Sequence, residues 1–266
     1  MGELFDRFIR DGEQLEVLTR GEFYEARTAV MGLVGPGPWE LSEWQALLDA
    51  VADASGRFTM LELGAGFGRW TVYAAAAIRR YRPELKYRLV AVEAEPTHFR
   101  WLRQHTRDNG LRRWSRAGSC RLLEVGVSRE GGREKFFFGD PRGWYGQALV
   151  RPENETADAP VKQVKTVRLS ELLRRLDRVD LIDLDIQGAE LEVLAEAAPS
   201  LAHVRRIHVE THWDAIDQDL PAVFEQASGE WTLEIAVPLG ARRSTPIGEA
   251  DFSGGGVQLW RNQATS

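Results

Sequence analysis

The chain of 266 residues has one cysteine, Cys120. No internal disulfide can form, and the chain suits a reducing compartment. Cys120 falls in an expected strand and reads as a small buried apolar residue. No apolar run is long enough to span a bilayer. The opening MGELFDRFIR lacks the basic-then-apolar plan of a secretory signal, and Asp6 stands where a myristoylation site wants Ser or Thr. A cytoplasmic location and no membrane partner are therefore expected. Excess positive charge is missing as well. The 34 Lys and Arg against 40 Asp and Glu leave a net charge of −6, unlike the basic footprint of a nucleic-acid binder. There are no internal repeats, which excludes a solenoid. What is present, 43% hydrophobic and 28% charged residues, is enough to bury a full core.

One further absence narrows the chemistry. Phe58 to Leu63 is a short apolar run and reads as a buried strand. Gly64, Ala65, Gly66, Phe67 and Gly68 follow, and an Ala-rich helix begins near Arg69. Strand, glycine turn and helix open a doubly wound nucleotide-binding sheet. The glycines permit positive φ, and the helix start favours an anion. The dinucleotide fingerprint needs a third glycine at position 69, where Arg69 stands. That weakens NAD or FAD and favours S-adenosylmethionine, which has no pyrophosphate.

In chain order, Leu4, Phe5, Phe8, Ile9, Leu15 and Leu18 suggest one or two amphipathic helices within residues 3–31. Residues 32–40 are a Gly/Pro break. Ser42 can cap a second helix, with Gln45 in the capping-box position, ending at Gly56. Residues 1–57 thus form a helical extension, which can cover the site, mediate homodimer contacts or simply pack on a sheet edge. Strand two, 87–93, ends on Glu93, placed to accept hydrogen bonds from both ribose hydroxyls. The next helix starts at Pro96 and closes at Asn109–Gly110, with His98 and His105 expected at its surface. The charged cluster 111–116 reads as a loop and not as a nucleic-acid patch. Strand three covers 120–127, and a short strand follows at 135–138. Residues 139–160 are irregular; the segment Trp144–Gln147 reads as a substrate-facing lid or as a loop with one aromatic in the core. A short helix covers 169–176. Strand four, 179–185, ends on Asp185. Strand five, 204–210, ends on Glu210, with His212 two residues on. A helix covers 217–227, and strands six and seven cover 231–237 and 256–262. No helical pattern links six to seven, so seven is expected to run antiparallel.

Three segments now carry a resemblance: LELGAGFGRWT; VAVEAEPTHFRWLRQHTRDNGL; and VDLIDLDIQGAELEVL with VRRIHVETH. They match E-x-x-P, F-x-x-L and N-G-L, then D-[VI]-[EQ]-G-x-E before a strand ending in E-x-H. The chain resembles FkbM-family S-adenosylmethionine-dependent methyltransferases over roughly 60–212. The resemblance implies a class I methyltransferase α/β fold over 58–266: a Rossmann-like, doubly wound, seven-stranded sheet with the last strand antiparallel. It implies O-methylation of a small molecule or sugar. Asp183 and Ala94 depart from the family's usual Lys and Pro.

If S-adenosylmethionine is the cofactor, Gly64, Ala65, Gly66 and Gly68 hold its methionine end and Glu62 lies near its ammonium. Glu93 and Ala94 take the ribose, and Gly126 and Val127 lie along adenine. Asp185, Glu210 and His212 sit at carboxyl ends of central strands, where such sheets bind ligands. His212 is the natural general base, its pKa lying near neutrality. The same three can instead hold a divalent metal, the less favoured reading. The rivals are a nicotinamide oxidoreductase and a non-catalytic binding module. A nucleobase methyltransferase would show [DN]-P-P-[YFW] where this chain reads DIQG.

Overall fold

A computed structural model describes residues 2–21, 26–142, 147–154 and 160–265. In chain order the elements are α1 (Glu3–Arg10), β1 (Leu15–Thr19), β2 (Val30–Val34), α2 (Leu41–Asp53), β3 (Arg57–Leu63), α3 (Arg69–Tyr81), β4 (Lys86–Glu93), α4 (Pro96–Asp108), β5 (Gly118–Glu124), β6 (Gly126–Val127) and β7 (Gly132–Phe137). The second half has β8 (Val161–Val167), α5 (Leu169–Leu173), β9 (Leu181–Leu184), α6 (Glu190–Ala197), β10 (Arg206–Thr211), α7 (Asp214–Gln226), β11 (Trp231–Val237), β12 (Arg242–Thr245), β13 (Gly248–Asp251) and β14 (Gly256–Asn262).

Seven strands form the central sheet in the order β11-β14-β10-β9-β3-β4-β5. All are parallel except β14, which runs antiparallel to both its neighbours, β10 and β11. This is the expected class I methyltransferase topology. The link from β11 to β14 holds no helix; it folds as the hairpin β12–β13. Without a crossover helix the chain can only return antiparallel.

Side chains alternate across each strand. Leu61 and Leu63 of β3, with Ile182, Leu184, Ile207 and Val209, pack on the α6–α7 side. Phe58, Met60 and Leu181 pack on the other side, beneath α1, α2 and α3. Glu62, Asp183, His208 and Glu210 follow the second set in alternation, so polar groups collect on one face.

Several expectations are corrected. Helix ends at Arg10, and β1 (Leu15–Thr19) pairs antiparallel with β2 (Val30–Val34). Leu15 and Val17 are buried with Glu16 exposed between them, a period of two that the spacing of Leu15 and Leu18 concealed. The extension is thus a helix, a hairpin and a second helix. Ser42 does not cap α2; it lies inside it, and its hydroxyl donates to Glu43 Oε2 at 2.9 Å. Strand three breaks at Val125: β6 leaves the main sheet to pair with β8. His98 and His105 are buried, not superficial, because they lie on the inner face of α4 with Trp101 and Leu102. Of the expected lid, residues 144–146 lie outside the described residues; Gln147 is buried.

Candidate active site

The sheet reverses its strand order between β3 and β9, and the turns that follow these two strands meet there. At Gly64, φ is +82°, and a Cβ would lie 1.6 Å from the carbonyl oxygen of Asp185. No side chain fits. The Gly64 and Ala65 N–H groups both donate to the Val92 carbonyl, at 3.0 and 2.9 Å. The Gly66 N–H donates to Glu93 Oε2 and the Glu95 N–H to Glu93 Oε1, both at 2.7 Å. Burial pushes the Glu93 carboxyl up to about 8, against the pull of those two N–H groups.

Gly64, Gly66, Glu93, Ala94, Gly126, Val127 and Asp185, all expected among the cofactor-binding residues, line one narrow hollow. A Cβ on Gly126 would come within 3.2 Å of Thr166 Cγ2, so glycine keeps the slot open. Gln147 also lines it, and its buried Nε2 has no hydrogen-bond partner among the described residues. Glu62 and Ala65 face a second, larger cavity instead. Both oxygens of Glu62 accept N–H groups of α3, from Trp70 and Thr71 at 2.9 Å. Burial, with Asp183 beside it, pushes this carboxyl up to about 8. Gly68 lines neither hollow. It caps α3 at φ +79°, where a Cβ would lie 2.3 Å from Leu102 Cδ1. Gly68→Ala is therefore expected to cost about 2 kcal/mol of stability with cofactor affinity unchanged. Urea unfolding beside calorimetry checks this; lost affinity in a stable variant would return Gly68 to the cofactor site.

The second cavity has a volume of about 640 Å³. Trp39, Trp70 and Tyr73 give it aromatic walls, and Val17 and Val34 of the hairpin close one side. Arg69, in the place of the missing glycine, pairs with Glu40 and lies 5.8 Å from the Trp39 ring and 5.6 Å from that of Phe67. It ties the N-terminal extension to the glycine loop. The two hollows share Gly64, Gly66, Asp185 and Gln187.

Asp185, Glu210 and His212 come together. His212 Nε2 lies 3.4 Å from Asp185 Oδ1 and 4.0 Å from Glu210 Oε1. Asp185 and Glu210 line the large cavity. His212 is nearly buried, and its Nδ1 lies 3.0 Å from Oε1 of the fully buried Glu190. Burial lowers the imidazole pKa, but Glu190, Asp185 and Glu210 overcome that and hold it up to about 9. The expectation of a near-neutral pKa is thus corrected: three carboxyls around one buried imidazole favour its cation. Burial raises Asp185 and Glu210, each also opposed by the other acids around it. The centre titrates as a unit.

The sequence reading missed several members. Glu190 stands in the quoted D-I-Q-G-x-E stretch, which was the available signal. Its Oε1 accepts from Ile186 N at 3.1 Å, and Gly188 N lies 3.1 and 3.0 Å from its two oxygens. Gln187 adopts φ +59° and donates from Nε2 to Asp185 Oδ1 at 2.7 Å; a non-glycine residue in that region is strained and marks a site worth explaining. A second network lies beside the first. His208 Nδ1 is 3.0 Å from Asp183 Oδ1, and its Nε2 is 3.2 Å from Ser42 Oγ, with Glu43 beyond. Burial lowers His208 and raises Glu43; burial and Asp185 push Asp183 up to about 8.

Comparison with known proteins bears on the family and the fold. Residues 62–231 match the methyltransferase FkbM domain. A Jannaschia sp. (strain CCS1) protein provisionally described as a methyltransferase is 26% identical over 237 residues, which is 85% of this chain and 81% of the relative. The solved FkbM methyltransferase of Methylobacillus flagellatus KT shares the fold, with a TM-score of 0.50 and 13% identity over 84% of this chain and 55% of that one. An rRNA methylase of Streptococcus thermophilus matches with a TM-score of 0.46 and 10% identity, covering 86% of this chain and 98% of that one; a likeness that low says nothing about the acceptor. The chain belongs to the FkbM methyltransferase domain family.

Proposed function

We propose that the chain transfers a methyl group from S-adenosylmethionine to an oxygen of a small-molecule acceptor. One observation carries the reading: the narrow hollow and the aromatic-walled cavity meet at Asp185. The unpartnered Gln147 amide, the buried Glu93 and the open slot at Gly126 fit an adenosine group. When bound, S-adenosylmethionine supplies a methyl group on a sulfonium sulfur. Gly64, Gly66, Glu93, Ala94, Gly126 and Val127 hold it. Asp185 and Glu210 orient the acceptor hydroxyl and accept its proton, and His212, clasped by Glu190, stabilises their negative charge. Trp39, Trp70 and Tyr73 give the acceptor apolar walls and exclude water.

A metal reading draws on Asp185, Glu190 and His212, whose ligand atoms lie within 4.8 Å of one another. Glu190 already serves two backbone N–H groups and the imidazole, which favours the metal-free reading. Glu93→Ala is expected to weaken S-adenosylmethionine by about 1–3 kcal/mol, the loss of two hydrogen bonds to the ribose. Calorimetry giving wild-type affinity for this variant would refute the ribose assignment.

A further inference from the structure

From Pro96 to Leu123 the chain carries seven arginines and one acid, Asp108. Asp108 is taken by Arg20, 2.6 Å away. Elsewhere arginines are commonly matched to carboxylates, as Arg57 is to Asp177, Arg151 to Glu192 and Arg206 to Asp53. None of the seven has a carboxylate within 4.0 Å among the described residues. Arg100, Arg103 and Arg107 recur at i, i+3 and i+7 and share one exposed face of α4. Arg112, Arg113 and Arg116 surround Trp114 in a loop exposed throughout 112–117. Arg121 is exposed on β5, the edge strand of the sheet. Trp114 is 77% exposed, more than any other large apolar side chain among the described residues. A chain of net charge −6 thus keeps, among the described residues, a cationic surface without carboxylate partners and with an indole at its tip.

We propose that this surface attaches the protein to an anionic lipid bilayer, with Trp114 as the interfacial anchor. Clustered arginines are each attracted to an anionic leaflet within a Debye length of its surface. An indole buries its ring among headgroups while its N–H stays hydrogen-bonded. A loop exposed over six consecutive residues can meet a flat surface, whereas a single nucleic-acid strand is gripped by successive stacking aromatics, and here there is one. The position argues the same way. The loop leads into the amino end of β5, while Asp185 and Glu210 stand at the carboxyl ends of the parallel strands. Arginines that served a nucleic-acid substrate would have to lead to that mouth, and the loop of Arg112, Arg113 and Arg116 stands at the opposite end of the strands. The acidic remainder of the chain is repelled by the same lipids, so the attachment has one orientation. The expectation of no membrane partner rested on the absence of a spanning run, a secretory signal and a myristoylation site, none of which bears on attachment by a charged surface.

The test is sedimentation of the full chain with phosphatidylcholine vesicles, with and without phosphatidylglycerol. Binding is expected only with phosphatidylglycerol and is expected to disappear at about 1 M salt, where screening acts within about 3 Å. R112E, R113E and R116E together are expected to weaken binding at least about tenfold, with the far-ultraviolet dichroism of the wild type. Trp114→Ser alone is expected to weaken it severalfold while keeping the salt dependence. No sedimentation with phosphatidylglycerol, or wild-type sedimentation by the triple variant, overturns the proposal. So does a single-stranded oligothymidylate that binds the wild type more tightly than the vesicles and loses that binding in the triple variant.

Discussion

Asp185→Asn is expected to lower methyl transfer by about 10²–10⁴-fold while changing cofactor affinity little. Asp185 borders both hollows, and its Oδ1 is held by Gln187 and faces His212. Asparagine keeps the shape but cannot accept the acceptor's proton. Turnover is best read in a single-turnover assay, against hydroxylated compounds drawn from whatever co-purifies with the chain. Glu210→Gln is expected to cost less, and the two losses are not expected to add, because both carboxyls share one imidazole. The pH dependence has a definite sign. Burial raises the Asp185 pKa, and the proposed role as proton acceptor requires the deprotonated form. Activity is therefore expected to rise with pH, and to fall as pH drops through that raised value. Full turnover in both variants would move the catalytic centre elsewhere.

How much of this was legible in the sequence depended on distance along the chain. The central strands were readable because parallel strands buried on both faces are largely apolar runs, as in Leu89–Val92. Glu93, Asp185 and Glu210 were readable because strand ends can be counted. The large aromatic-walled cavity was not. Its far wall comes from Val17, Val34 and Trp39, and their approach to Trp70 and Tyr73 is a tertiary event with no local signal. The link from Ser42 to His208 spans 166 positions. The burial of His105 was hidden likewise: its ring lies 5.5 Å from that of Phe67 and its Nδ1 is 3.1 Å from the Phe67 carbonyl, which only the docking of α4 on the glycine loop can arrange. Burial there drives the imidazole down to about 4 and keeps it neutral. Charge was misjudged at His212 for the same reason. An isolated histidine titrates near 6.5, and only the fold gathers three carboxyls around it.

Glu190→Gln is expected to be the most damaging change to stability, costing about 3–5 kcal/mol, because it removes one partner of a buried ion pair. Glu190 is fully buried, and its oxygens face only donors: the N–H groups of Ile186 and Gly188 and the Nδ1 of His212. A glutamine must turn its NH₂ toward one of them, leaving a buried donor facing a donor. The pH dependence separates this from a packing defect. The folded His212 pKa, about 9, lies above the unfolded value of 6.5. Its stabilisation is therefore complete below about pH 6.5 and lost as pH rises through about 9. Asp185 and Glu210, raised by burial, add loss of stability with rising pH in the same direction. Wild-type unfolding midpoints in urea are thus expected to decline from pH 6 to pH 9. Without Glu190 the imidazole pKa falls back, so the variant's decline is expected to be shallower. The gap between the two proteins would be widest at pH 6 and narrowest at pH 9. A gap that stayed constant across that range would mean that Glu190 acts by packing alone, and that His212 is not held as a cation.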